Sequence, residues 1–242
     1  MKLAALIPRR RGLSKAQLQQ RAALNQLQRF EAVLNRHRRS LKDCTTILEF
    51  GCGHGRLLKP VADFVPGASI AGCDVLNKAV AVCRRKFPQG RFVTNGALPP
   101  LAFADGSFDL MYSYSVFTHL PEAHHRAWLK ELARVLRPGG VMLHTIHSHE
   151  FLRRASRFSP ESLVKYALPQ PVDALIRSGT GYTYTMDDPT QPAYGLAIIS
   201  PAYVAAHWPK VSGLTLLDHV EGAIEAYPEG CQDIVLLLKA PQ

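Results

Sequence analysis

Three glycines at alternate positions, Gly51, Gly53 and Gly55, mark the part of this sequence best suited to chemistry. They follow an apolar run at 45–50 and precede a helical pattern at 56–65, which places them in a loop between a strand and a helix. Such glycines allow a sharp turn and a close approach of backbone to ligand, and the next helix presents free N–H groups there. A dinucleotide loop would need glycine where Arg56 stands, and the Gly-Lys-Ser/Thr end of a Walker loop is absent.

Strands that alternate with helices surround this loop. The pattern predicts strands at 45–50, 69–74, 91–95, 108–114 and 141–147, and helices at 56–65, 77–87 and 122–136. A helix at 200–207 and two strands at 214–221 and 233–239, joined by a turn at 228–230, follow. Units of this kind build a parallel sheet with helices on both faces. Residues 150–195 break the rhythm and predict a Tyr-rich lid over the active face, with a short helix at 161–166.

The glycine loop and its flanking elements resemble the class I S-adenosylmethionine (SAM)-dependent methyltransferases. Glu49, Gly51, Gly53 and Gly55 match the family's Glu/Asp-x-Gly-x-Gly-x-Gly loop, and residues 105–120 and 132–140 match its later elements. The resemblance implies an α/β, Rossmann-like fold with a seven-stranded, mostly parallel sheet, helices on both faces and an antiparallel last strand. It also implies SAM as cofactor. It covers residues 45–147, more weakly 195–242, and none of the N-terminal segment.

The resemblance also implies which residues bind the cofactor. Asp74 would accept hydrogen bonds from the ribose hydroxyls, since a carboxylate offers two oxygens to two donors. Asn95 stands where many family members have Asp, and its amide oxygen would accept from the adenine amino group. The expected cofactor-binding residues are Glu49, Gly51, Cys52, Gly53, Gly55, Asp74, Val75, Asn95, Gly96, Tyr114 and Ser115.

Two histidines after the fourth and fifth strands, His119 and His147, are the candidate catalytic residues. Histidine suits base work near neutral pH, and His147 resembles a histidine that some small-molecule methyltransferases carry at this point. The alternatives are that His119 braces its loop and that His147 only packs. A metal cluster of His144, His147 and His149 is disfavoured, because His144 would point to the opposite face of the strand and no carboxylate joins them.

The net charge of +10 belongs mainly to the N-terminal segment. Residues 1–43 contain eleven Lys and Arg against two acids, whereas residues 44–242 contain eighteen against seventeen. A helical pattern at 14–40 has an apolar face of Ala23, Leu27, Phe30, Leu34 and Leu41. We therefore predict a basic helical arm at 1–43 and a methyltransferase domain at 44–242. The arm would pack on the domain, pair with a second copy as a homodimer, or bind a polyanion; the nearly neutral domain argues against a nucleic-acid channel.

The cysteines and the apolar segments favour a cytoplasmic protein. Five cysteines without Cys-x-x-Cys spacing predict neither a disulfide framework nor a zinc ribbon. We predict no membrane span and no secretory signal, although the Arg-rich first thirty residues leave a mitochondrial presequence open. The predicted function is methyl transfer from SAM to a small-molecule acceptor, such as a glycan or metabolite. The alternatives are a macromolecule methyltransferase that docks RNA or protein through the arm, and a non-catalytic SAM-binding assembly protein.

Overall fold

A seven-stranded sheet organises the chain, which is represented by a computed structural model describing residues 14–155, 181–186, 190, 193–225 and 231–241. Its strands are β1 (Thr46–Phe50), β2 (Ser69–Asp74), β3 (Arg91–Thr94), β4 (Phe108–Ser113), β5 (Leu136–Ile146), β8 (Thr215–Glu225) and β9 (Cys231–Leu238). They lie in the order β3-β2-β1-β4-β5-β9-β8. The first five pair in parallel, and β9 is antiparallel to both of its neighbours. The predicted fold class is confirmed.

Six helices flank the sheet in the described part of the chain. They are α1 (Lys15–Arg36), α2 (Leu58–Phe64), α3 (Asn77–Lys86), α4 (Glu122–Val135), α5 (His149–Ala155) and α6 (Pro201–Ser212). Side chains of a strand alternate between the two faces. Ile47 of β1 accordingly packs in the cluster with α1 and α2, whereas its neighbour Leu48 packs in the cluster with α4 and α6. None of the helices in these ranges is both long and apolar enough to cross a lipid bilayer.

Helix α1 begins with a capping box and lies against the sheet. The side chain of Ser14 accepts a hydrogen bond from the N–H of Gln17, and the Gln17 side chain accepts one from Ser14 in return. The predicted apolar face is buried, with Leu27 and Leu34 fully enclosed, and it packs against α2, β8 and β9. The helix thus packs on its own chain, the first of the alternatives for the arm. A homodimer through α1, and the boundary at residue 43, stay predictions.

Several predicted boundaries differ from the structure. Strand β5 begins at Leu136, directly after α4 and five residues earlier than predicted. Leu136 pairs with Phe108 of β4, and Gly139 and Gly140 exchange backbone hydrogen bonds with Lys239 after β9. Helix α6 runs on to Ser212, where Gly213 ends it in the left-handed conformation.

The predicted lid is partly regular where it is described. Helix α5 occupies its beginning, and β6 (Tyr182–Met186) pairs with β7 (Gly195–Ile199) as an antiparallel ribbon at its end. The sequence pattern missed both, because their burial comes from contacts with distant elements. The predicted helix at 161–166 and the turn at 228–230 lie outside the described residues.

Candidate active site

The glycine loop joins the end of β1 to α2, and all three glycines have positive φ: 77° at Gly51, 49° at Gly53 and 76° at Gly55. A Cβ at Gly51 would lie 2.2 Å from Val116, and one at Gly55 would lie 2.8 Å from Phe87. These two glycines are therefore required by packing as well as by conformation. A Cβ at Gly53 would meet no atom within 4 Å, so this glycine faces open space.

A cavity of about 670 Å³ opens in front of this loop. Six of the expected cofactor-binding residues line it: Glu49, Gly51, Cys52, Gly53, Gly55 and Tyr114. The opposite wall is helix α1, through Ala16, Gln19, Gln20 and Ala23. The volume lies in the usual range for small-molecule sites.

Burial dominates the electrostatics of Glu49, which lines the cavity yet is only 3% exposed. Loss of hydration raises the pKa of its carboxyl to about 8, and the hydroxyl of Tyr112, which donates to Oε2 at 3.2 Å, and the positive charge of Arg56 lower it only in part. A carboxyl with a pKa near neutrality binds a cation at the expense of a proton.

Asp74 ends β2 beside the glycine loop, as the resemblance implies. Its Oδ2 accepts the N–H of Gly53 at 2.8 Å, and its Oδ1 accepts the N–H of Leu76 at 2.9 Å. Each oxygen therefore has a lone pair left for one further donor, which is what two ribose hydroxyls require. The carboxylate also fixes the position of Gly53 within the loop.

Asn95 follows β3 directly beside Asp74, whose carbonyl accepts its N–H at 3.1 Å. Its amide nitrogen donates to the carbonyl of Gly96 at 2.8 Å, whereas its Oδ1 is buried with no partner in the described part of the chain. Val75, which directly follows Asp74, is 55% exposed. An unpaired acceptor beside an exposed apolar side chain suits a flat ring that carries an amino group. Asp74, Val75, Asn95, Gly96 and Ser115 do not line the cavity in front of the glycine loop.

Tyr114 and Ser115 follow β4. The guanidinium of Arg56 lies 5.3 Å from the centre of the Tyr114 ring, and burial raises the pKa of this phenol. Ser115 has a φ of 59°, which is rare for a residue with a side chain. Its N–H donates to Thr145 at 2.8 Å, and its hydroxyl accepts from the amide of Gln232 at 2.8 Å, so β5 and β9 hold it in this conformation.

Each of the two candidate catalytic histidines contacts a backbone carbonyl. A ring nitrogen of His119 lies 2.7 Å from the carbonyl of Gly195, and its ring stacks on Tyr194 at 4.5 Å. His147 is 5% exposed, packs against Phe151 at 4.0 Å, and has Nδ1 at 3.4 Å from the carbonyl of Cys231. Burial lowers its pKa to about 3. Neither lines the cavity, so both catalytic assignments stay predictions.

The sequence analysis missed the contribution of α1 and Arg56 to the cavity. Arg56 counted only as the residue that excludes a dinucleotide loop, although an arginine directly after the glycines is itself a signal for an anionic ligand group. The apolar face of α1 predicts that the helix packs, but nothing local predicts that its exposed N-terminal half faces the cavity. Within the described ranges, no cluster of three or more His, Cys, Asp or Glu residues could hold a metal ion.

Comparisons with known proteins find methyltransferases. Residues 47–140 match the family described as a methyltransferase domain. The phthiotriol/phenolphthiotriol dimycocerosates methyltransferase 1 of Mycobacterium ulcerans is 35% identical over 101 residues, which are 41% of this chain and 36% of that protein. The 2-methyl-6-phytyl-1,4-hydroquinone methyltransferase of Synechocystis sp. is 32% identical over 103 residues, 41% of this chain and 31% of that protein. The chain thus matches about a third of the length of these curated relatives.

The fold is also found in a solved structure. A SAM-dependent methyltransferase from Methanosarcina mazei superposes with a TM-score of 0.61 at 17% identity, over 86% of this chain and 98% of that one. At this identity the likeness shows the fold alone, and it extends well beyond the segment that the relatives match.

Proposed function

We propose, from the premise that this chain contains a class I SAM-dependent methyltransferase domain, that it transfers a methyl group from SAM to a small-molecule acceptor. The observation that carries the proposal is the glycine loop at the end of β1, where Gly53 faces a cavity that Glu49 and Tyr114 also line. Open space at a backbone held at positive φ is what a closely approaching ligand requires.

The residues around the loop fit the parts of SAM. Glu49 and the polar wall of α1 would face the charged amino-acid end, where a carboxylate attracts an ammonium or sulfonium group. Asp74 has lone pairs for the ribose hydroxyls, and the free Oδ1 of Asn95 would accept from the adenine amino group while Val75 packs on the ring. Gly96 and Ser115 would complete the rim of the cofactor site.

Methyl transfer from SAM requires the protein mainly to position the two reactants. When bound, SAM supplies an activated methyl group on a positively charged sulfur. The chain's own residues hold the two reactants in line and exclude water, which accounts for much of the rate in such reactions. A base is needed only where the acceptor atom carries a proton of high pKa. His119 and His147 would serve here mainly by positioning the loops after β4 and β5, since each contacts a backbone carbonyl.

A small-molecule acceptor is supported by the relatives, whose names refer to phthiotriol dimycocerosates and a phytyl hydroquinone. It is also supported by the near-neutral charge of residues 44–242. A cytoplasmic location is part of the proposal and rests on cysteines without disulfide spacing.

Isothermal titration calorimetry with SAM and S-adenosylhomocysteine tests the cofactor site. We expect micromolar-range affinity for SAM in the wild type, at least a tenfold loss in Gly53→Ala, and none in Gly213→Ala. The two glycines are matched, because both have positive φ and open space at Cβ, but only Gly53 lines the cavity. Equal affinities in the two variants, or binding of NAD in place of SAM, would contradict the proposal.

Incubation with methyl-labelled SAM and a fractionated cell extract then identifies the acceptor. Label in a low-molecular-weight or lipid fraction supports the proposed class. Label confined to RNA or protein would instead support docking of a macromolecule through the basic arm.

A further inference from the structure

A second cavity, of about 370 Å³, lies at the opposite edge of the sheet from the glycine loop. It is lined by the end of α1, the segment that leads into β1, Asp109 of β4 and the first residues of β5. The glycine loop follows the carboxyl end of β1, whereas this cavity adjoins its amino end. The two cavities share no lining residue, so the second one lies apart from the proposed methyl-transfer site.

Three arginines, Arg38, Arg39 and Arg137, line this cavity. The side chain of Arg38 has no hydrogen bond or ion pair within the described ranges, and the side chain of Arg39 donates there only to the carbonyl of Gly139, at 3.1 Å. Two guanidinium groups at one cavity are therefore without a carboxylate partner. Guanidinium groups have a planar set of donors that matches the oxygens of a phosphate.

Two acids, Asp43 and Asp109, also line the cavity. Asp109 is already satisfied, because it accepts the N–H groups of Thr45 at 2.7 Å and Thr46 at 3.1 Å and pairs with Arg137 at 3.0 Å. Asp43 is exposed to solvent, where its charge is screened. The lining thus has more positive than negative charge, and its buried carboxylate, Asp109, already has hydrogen-bond and ion-pair partners.

Arg38 occupies a backbone position that normally favours glycine. Its φ is 55°, directly after the end of α1, and the N–H groups of Arg38 and Arg39 close the helix on the carbonyls of Asn35 and Leu34, both at 3.1 Å. The turn brings two consecutive arginines to one cavity. Because glycine adopts this conformation without strain, Arg38 can be replaced there without loss of the turn.

We propose that this cavity binds a phosphate group, either of a soluble phosphorylated compound or of a lipid headgroup. The three arginines supply fork-shaped donors, and the side chains of Arg38 and Arg39 have no carboxylate partner. The carbonyl end of α1, Asp43 and Asp109 oppose an anion. Arg137 offsets Asp109, so two full positive charges remain against the half charge of the helix end and one screened carboxylate.

Phosphorus NMR and thermal melting in inorganic phosphate, at constant ionic strength, test the soluble source. Saturating S-adenosylhomocysteine is present throughout, so that phosphate cannot report on the glycine-loop cavity. We expect Arg38→Gly to bind phosphate about tenfold more weakly, the loss that follows removal of one charged donor. Arg85→Ala removes an exposed positive charge from α3, away from the cavity, and should bind like the wild type.

Co-sedimentation with phosphatidylcholine vesicles, with and without phosphatidic acid, tests the lipid source with the same variants. Phosphate-dependent binding in either arm that Arg38→Gly loses and Arg85→Ala retains supports the proposal. Binding in neither arm, or equal losses in the two variants, overturns it. Because Arg38→Gly relieves an unfavourable conformation, a loss of binding is separable from unfolding by the melting temperature, which should not fall.

Discussion

Replacement of Glu49 by glutamine should raise the free energy of unfolding relative to the wild type, and it should do so by more at high pH than at low pH. The folded carboxyl has a pKa of about 8 against an ordinary value of 4.5, because it is buried. Below pH 4.5 the carboxyl is neutral in both states. Between the two values the folded protein holds a proton that the unfolded chain has lost, so stability falls as pH rises. Glutamine remains neutral and escapes this loss.

The pKa shift sets an upper limit for the effect. About 3.5 pKa units correspond to about 5 kcal/mol at 1.4 kcal/mol per unit. Water in the adjoining cavity would solvate the ionised form in part, and we therefore expect about 2–4 kcal/mol. The hydrogen bond from Tyr112 is retained in the variant, since the glutamine carbonyl is also an acceptor.

Urea denaturation of the wild type and Glu49→Gln at pH 5, 7 and 9 measures this difference. The free energy of unfolding of the variant minus that of the wild type should increase with each step. Asp63→Asn is the control: this carboxylate lines the same cavity, but its side chain is 63% exposed and pairs with Lys59 at the surface. Its difference should stay within a few tenths of a kcal/mol across the range.

A difference between Glu49→Gln and the wild type that does not change with pH would refute the reasoning, and so would one that decreases. The first result would mean that Glu49 is ionised at neutral pH in the folded protein, because Arg56 and Tyr112 stabilise the charge as much as burial disfavours it. The second would mean that its pKa lies below that of the unfolded chain.

Three further variants test the site and its wall. Asp74→Ala should weaken SAM binding by about 1–3 kcal/mol in calorimetry, the scale for loss of a charged hydrogen-bond partner, and an unchanged dissociation constant in a folded variant would place the ribose contact elsewhere. His147→Ala should lower the free energy of unfolding by roughly 2–4 kcal/mol through loss of the packing on Phe151. The kcat per folded molecule should fall less than tenfold, because a ring with a pKa of about 3 is a weak base. A loss of kcat of about a hundredfold or more would instead support His147 as the catalytic base. Leu27→Ala should cost about 2–5 kcal/mol in urea denaturation, and retention of full stability would show that α1 does not depend on its apolar face.

The sequence by itself determined the sheet and the loop on which the site is built. Alternating apolar runs predict β1, β2 and β4 to within a residue, because the hydrophobic period of a buried strand is a local property. The three glycines could be located for the same reason, since each sits where the chain must adopt positive φ between a strand and a helix. The sequence also predicts that the residues at the strand ends lie close together, because parallel strands bring their carboxyl ends to one edge of the sheet.

Only the tertiary structure decided what surrounds that loop. The amphipathic pattern of α1 predicts a helix but not the surface it covers, and the fold places its first turns across the cavity in front of Gly53. The pattern also cannot tell that His147 packs against Phe151 and the carbonyl of Cys231, or that Arg38 and Arg137, far apart in sequence, line one cavity. Burial, pKa and proximity depend on residues distant in sequence, and packing alone brings these together.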